Sequence, residues 1–311
     1  MTYEYIERSD NVFLIDTHMF GFKQFQSSYI VAGKEVALID TGVPPSLEIV
    51  REAIKKHGFA ITDISHIFVT HCEHPDHSGN VGALLQENKK AKVYIHPGGA
   101  EYLLDPSIDE AKRKANLPPH MAARFGDMLP VSPSRIQYLG DGDTFDLGEG
   151  EKLKVIFAPG HQPSGIVILE EKNRSLFIND LPGSYFVDAE AAWIFTPYRS
   201  DVRQAMASLK KISSLSLNNL YLGHFGICNK PKELIQQALS RMQQLLDIGA
   251  ACVKEGKPQE IEARSKAVRQ LEVEKLRKTR DQTLYNYLSQ ELMPSMSQAF
   301  AKYYLETQEK Q

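Results

Sequence analysis

The chain has 311 residues, 42% of them hydrophobic and 24% charged, with a net charge of -3. This is an ordinary globular composition, long enough for one large domain with an appendage and for a sizeable core. The near-neutral balance excludes the basic footprint of a nucleic-acid or acidic-membrane binder, and three scattered cysteines do not make a disulfide framework. No apolar run is long enough to cross a bilayer. Met1-Thr2-Tyr3-Glu4-Tyr5 has neither the basic nor the apolar part of an export signal, so a cytoplasmic location is expected.

In chain order, Asn11–Asp16 and Ser28–Ala32 read as strands. Gly33-Lys34-Glu35 forms a tight turn, and Val36–Ile39 follows as an apolar strand ending in Asp40-Thr41-Gly42. Pro44–Gly58 reads as a helix, with apolar positions at Leu47, Val50, Ala53 and Ile54 and a glycine stop. The run Ile67–Val69 then opens into Thr70-His71-Cys72-Glu73-His74-Pro75-Asp76-His77-Ser78-Gly79-Asn80. Imidazoles and carboxylates crowded at a strand end are the donors that borderline and hard divalent metals take, and a strand end aims them rigidly.

Val81–Gln86 reads as a short helix and Ala91–His96 as a strand, with His96 a structural or wall residue. Asp105–Asp127 reads as a helical insertion, broken at Leu117-Pro118-Pro119, whose length and position suit a flap near the site. His120, Met121 and Phe125 are expected mainly to pack that flap. Ile136–Gly140 and Thr144–Leu147 are short strands. The plan of apolar strand followed by a ligand-type residue recurs three times: Leu153–Phe157 before Gly160-His161, Leu176–Asn179 before Asp180, and Leu220–Leu222 before Gly223-His224. From Pro231 the composition becomes helical, with a face of Ile235, Leu239, Met242, Leu245, Leu246 and Gly249 and a break at Lys257-Pro258. Gln259–Tyr304 reads as one or two more helices, with Pro294 a kink and the charges around Glu272–Arg280 on a solvated surface.

These four strand-end motifs, in this order, resemble those of the metallo-β-lactamase superfamily, in particular its glyoxalase II- and lactonase-like hydrolases. His74-Pro75-Asp76-His77-Ser78-Gly79 matches the second half of that family's Thr-His-x-His-x-Asp-His-x-Gly pattern, while the first half is displaced by one residue. His71 with one residue inserted, a Cys72 thiolate, or a missing ligand could fill the displaced position. His71 is preferred because Thr70 leads straight into it.

The resemblance implies an α/β fold, a four-layer αββα sandwich of two mixed β-sheets flanked by helices, with C-terminal helices. It places the catalytic domain at residues 1–230, with 105–127 as insertion, and a helical extension at 231–311 that could cover the site or pair two subunits. It implies a metal set of His71 (or Cys72), His74, Asp76, His77, His161, Asp180 and His224, with Asp40 orienting a ligand and Asp76 also acting catalytically. Two divalent ions, zinc first and iron or manganese otherwise, would share a bridging hydroxide and attack an ester, thioester, lactone or related small molecule.

Tyr185, Trp193 and Tyr198 are candidate substrate walls, along with Phe186 and Phe195, and Arg199 is a candidate for an anionic group. Two other functions stay open. His71-x-Glu73 followed by Asp76-His77 also resembles the iron motif of flavodiiron proteins with one residue inserted, and mononuclear persulfide dioxygenases use fewer of these ligands. A degenerate metal-binding sensor is the non-enzymatic alternative.

Overall fold

The computed structural model describes residues 8–186, 191–193, 200–277 and 281–308. The described chain divides into two compact units. One runs to Ala158 and adds Ser164–Asn179 and Leu217–Asn229; the other comprises Pro159–Pro163, Asp180–Ser216 and the chain from Lys230. The strands, in chain order, are β1 (Arg8–Ser9), β2 (Val12–Asp16), β3 (Ser27–Ala32), β4 (Val36–Ile39), β5 (Ile64–Phe68), β6 (Lys92–Ile95), β7 (Ile136–Tyr138), β8 (Thr144–Gly148), β9 (Glu151–Phe157), β10 (Ile166–Glu170), β11 (Ser175–Asn179), β12 (Ser184–Phe186), β13 (Ala191–Trp193), β14 (Asn219–Leu222) and β15 (Ile227–Cys228).

In the first unit, β1 to β7 form a seven-stranded mixed sheet in sequence order, antiparallel to β4 and parallel from there. A six-stranded mixed sheet has the order β15-β14-β11-β10-β9-β8, with β11 and β14 parallel. The central strands are buried on both faces and divide their side chains by the two-residue period. Val36 and Leu38 of β4 join one apolar core, with helices α1 (Leu47–Lys56), α2 (Pro75–Ser78), α3 (Val81–Glu87) and α4 (Ala100–Leu104) following in the same unit; Val50, Ile54, Leu84 and Leu103 belong to that core. Ala37 and Ile39 join the other core, where Tyr29 and Phe68 of the first sheet meet Val155, Ile168, Phe177 and Tyr221 of the second. Fully burying each large apolar side chain stabilises this stack by roughly 1.5–3 kcal/mol. The expected fold is therefore present: two mixed sheets with flanking helices.

β9, β11 and β14 run in one direction, because β10 is antiparallel to both β9 and β11 and β14 is parallel to β11. Their C-terminal ends lie at one edge of the sheet, and α/β folds place ligands beyond such strand ends. The insertion supplies α5 (Ser107–Asn116) and α6 (Pro119–Arg124), separated at the expected Leu117-Pro118 break.

The second unit contains the β12–β13 hairpin, helix α7 (Val202–Ser213) and the C-terminal helices α8 (Pro231–Lys254), α9 (Ile261–Leu276), α10 (Gln282–Asn286) and α11 (Met293–Gln308). A π-helical turn, Tyr287–Leu292, joins α10 to α11. Pro294 is the second residue of α11, so the helix widens beside the proline, which has no amide hydrogen to give. One expectation is corrected here: Glu272 is buried rather than solvated, because Arg241 reaches it from α8 and Lys275 bonds it at 2.9 Å. Residues 278–280 of the same charged run lie outside the described residues. Leu271 of α9 is exposed.

At Gly249 α8 lies directly against α11, since a Cβ there would lie 2.5 Å from ring atoms of the buried Tyr304. Gly249→Ala is expected to cost about 1–3 kcal/mol through overpacking. Urea denaturation measures it, and an unchanged midpoint would contradict the packing described.

Candidate metal centre

Asp40 follows β4 with a left-handed backbone, φ 58°, a conformation that Asp tolerates better than most residues. That turn sends its carboxylate across to the end of β5. Oδ1 accepts the Thr70 amide at 2.8 Å, and Oδ2 accepts both the Thr70 hydroxyl at 2.8 Å and the His77 ring at Nδ1, 2.6 Å. With Nδ1–H donating to Asp40, the Nε2 of His77 is left as the lone-pair nitrogen.

The loop carrying His77 is fixed from behind. Thr41 donates its amide to the His77 carbonyl (2.8 Å), and Gln26 donates to the Asp76 carbonyl (2.6 Å). Gly79 is required here because a Cβ would lie 2.3 Å from Pro44 and 2.5 Å from the Pro75 carbonyl.

His71, Asp76 and His77 are all buried, and each offers a ligand atom within 4.8 Å of the others. His71 Nε2 lies 3.8 Å from Asp76 Oδ1, and the rings of His71 and His77 have centroids 4.5 Å apart. Of His74, both ring nitrogens are buried and have no hydrogen-bond partner among the described residues. A buried imidazole without partners is costly in protein alone and is what a metal ligand looks like before loading. His224 holds the Phe25 carbonyl at 2.9 Å through Nδ1, which again leaves Nε2 as the donor nitrogen. Nitrogen and carboxylate-oxygen donors of this kind fit zinc, manganese or iron.

The displaced first half of the motif has a structural explanation. Cys72 belongs to the apolar core and lies against Gly99. Burial pushes its thiol well above the usual range, and the nearby carboxylates of Glu73 and Asp40 add to this. Glu73, the residue that an iron motif would use, has its carboxylate occupied. Oε1 accepts the Ser164 amide (2.9 Å), while Oε2 accepts the Ser164 hydroxyl (2.6 Å) and the Cys72 amide (3.1 Å). The extra residue in the loop is thus taken up by one inward thiol and one clamp, and it is His71 that stands beside Asp76 and His77.

In the second unit, His161 Nε2 lies 3.4 Å from Asp180 Oδ2, and both residues are buried. The His161 loop is clamped to the start of α7. Asp201 donates its amide to the Gly160 carbonyl (2.7 Å), Ser200 its hydroxyl to the His161 carbonyl (2.9 Å), and Ser208 its hydroxyl to the Pro159 carbonyl (2.7 Å). Gly160 has φ 140°, and a Cβ there would lie 2.3 Å from the Ala205 backbone, so only glycine fits.

The family model for the metallo-β-lactamase superfamily matches residues 21–224. The chain belongs to that superfamily. Among known members, a putative diflavin flavoprotein from Synechocystis is 25% identical over 213 residues, 64% of this chain and 32% of that protein. An atrochrysone carboxyl ACP thioesterase from Aspergillus fumigatus is 25% identical over 223 residues, 71% of this chain and 57% of that protein. The chain thus spans about a third of one curated relative and little over half of the other. A metallo-β-lactamase family protein from Thermus thermophilus shares the fold across 97% of this chain and 95% of its own, with a TM-score of 0.66 at 18% identity.

Of the expected substrate walls, Tyr185 and Trp193 are described by backbone only, in the β12–β13 hairpin; Phe186 is buried, while Phe195, Tyr198 and Arg199 lie outside the described residues. In the helical insertion, His120 is exposed, Met121 is buried, and Phe125 packs edge-on to Phe20 at 4.9 Å. His96 caps the following turn, accepting the Gly98 amide at Nδ1 (3.0 Å). Nothing in the sequence signalled the Glu73–Ser164 clamp or the Phe25 carbonyl behind His224. Among the described residues no helix is long and apolar enough to cross a membrane.

Asp40→Ala leaves the buried His77 ring and Thr70 amide unpaired and is expected to cost about 1–3 kcal/mol for each group stranded, read by denaturant unfolding. All three cysteines are free and buried. Ellman's reagent is expected to find no thiol in the folded protein and all three after denaturation; a reactive native thiol would contradict the inward placement of Cys72.

Proposed function

We propose that the chain is a metal-dependent hydrolase acting on an ester, thioester, lactone or related small molecule, with His71, His74, Asp76, His77, His161, Asp180 and His224 as ligands. The observation that carries this reading is the donor set. His71, Asp76 and His77 converge in a buried cluster, while the Glu73 carboxylate is held by Ser164 and Cys72. When bound, two divalent ions, zinc first and manganese or iron in its place, supply water of lowered pKa and a Lewis acid for the attacked carbonyl or phosphoryl.

The chain's own residues do the positioning. Asp40 and the Phe25 carbonyl fix the tautomers of His77 and His224, so that Nε2 of each carries the lone pair. Asp76, whose Oδ1 accepts the His77 amide at 3.2 Å, would in this reading also orient the attacking water. Burial keeps competing water from the ligands and strengthens every charge interaction among them.

The likeness to a diflavin flavoprotein supports a second reading, non-haem iron redox chemistry, in which Glu73 would be a ligand. Glu73→Gln separates the two. The hydrolase reading expects unchanged metal content and a less stable loop; the iron reading expects loss of metal.

The direct test is hydrolysis of an ester, thioester, lactone and phosphodiester panel, abolished by chelator and restored by zinc or manganese. His161→Ala and Asp180→Asn should reduce turnover to background while circular dichroism stays native. Full activity in either variant would overturn the ligand assignment.

A further inference from the structure

Within the second unit, the last helix reaches the first turn of α7. Tyr303 of α11 donates its hydroxyl to Asp201 Oδ1 at 3.0 Å. The same oxygen accepts the Gln204 amide at 2.9 Å and so caps α7. The hydroxyl in turn accepts from Arg203, at 3.4 Å from its amide and 3.5 Å from its guanidinium. Arg203 also reaches the Thr307 hydroxyl (3.4 Å) and lies over the ring of the buried Tyr304 (5.6 Å). One end of α11 thus grips one end of α7.

Asp201 is also where the His161 loop is tied down. Its amide donates to the Gly160 carbonyl at 2.7 Å, and Ser200, immediately before it, donates to the His161 carbonyl at 2.9 Å. The loop is pressed onto the same turn at Ala205, where only a glycine at position 160 fits. Asp201 therefore has its side chain on α11 and its backbone on the loop of His161. A hydroxyl bond to an ionised carboxylate is roughly twice as strong as a neutral pair. Tyr303 lies 102 residues beyond Asp201, so the bond closes only when the C-terminal helices have packed.

Resting on the metal-hydrolase reading above, we propose that Tyr303 is a positioning residue for His161. It fixes the Asp201 carboxylate, Asp201 fixes the Gly160 carbonyl, and the loop then holds the His161 ring 3.4 Å from Asp180. The C-terminal helices on this account support a ligand of the centre, beyond any part they have as a cover or a subunit contact.

Tyr303→Phe removes the hydroxyl and keeps the ring, so the variant is expected to fold. Thr307→Val, which loses the neighbouring contact to Arg203 but not the bond to Asp201, is the control. Hydrogen exchange on the metal-free full chain reads the latch. The Asp201 amide should exchange about 3–10-fold faster in Tyr303→Phe, the loss of one hydrogen bond, and at the wild-type rate in Thr307→Val. Competition with a chromogenic chelator for zinc alone reads the consequence, an affinity lowered about 3–10-fold in Tyr303→Phe only. Unchanged exchange at Asp201 in Tyr303→Phe overturns the latch. Faster exchange with unchanged zinc affinity overturns the positioning of His161, and so do equal losses in both variants. A wild type that takes up no zinc overturns the metal-hydrolase reading and the role at the centre, while exchange at Asp201 still decides the latch.

Discussion

The site depends on one carboxylate in a strained turn. Asp40 leaves β4 in a left-handed conformation and joins three things that are 30 or more residues apart from it: the Thr70 amide, the Thr70 hydroxyl and the His77 ring. It therefore fixes where the β5 loop departs from the sheet and which nitrogen of His77 faces inward. The strain is borne by the buried strands on either side, whose side chains are shared between two apolar cores. Without the turn the His77 ring would lose the carboxylate that orients it.

A second clamp resolves the irregular motif. The loop has one residue more than the family pattern, yet His71 still stands beside Asp76 and His77. Cys72 is absorbed by apolar packing, and Glu73 by two bonds to Ser164. Both residues are chemically capable ligands, so the sequence alone left them open. The company each keeps supports the reading in which neither is a ligand: the thiol packs in an apolar core, and the carboxylate accepts an amide and two further donors.

Much of the fold was legible because strands buried on both faces announce themselves as short apolar runs, and because four of them end in ligand-type residues. β10 was not read, since Ile166–Leu169 is an unbroken apolar run that periodicity cannot type. α7 is not among the elements expected from the sequence, although Val202, Ala205, Met206, Leu209 and Ile212 have helical spacing and Asp201 caps the start. The pairs that needed tertiary structure were invisible. Glu73 and Ser164 are 91 residues apart, and Arg241 meets Glu272 from a different helix. Asp109 is buried and braced by Arg113 within the insertion, which its polar helical surroundings in the sequence do not signal.

The central claim is a centre built from nitrogen and carboxylate oxygen, with the cysteine and Glu73 set aside. Elemental analysis joined to X-ray absorption at the metal edge, on protein purified without chelators, tests it most directly. The account predicts about two divalent ions per chain, surrounded by nitrogen and oxygen only. A sulfur shell at about 2.3 Å would put Cys72 back among the ligands, and a metal-free chain would contradict the account altogether.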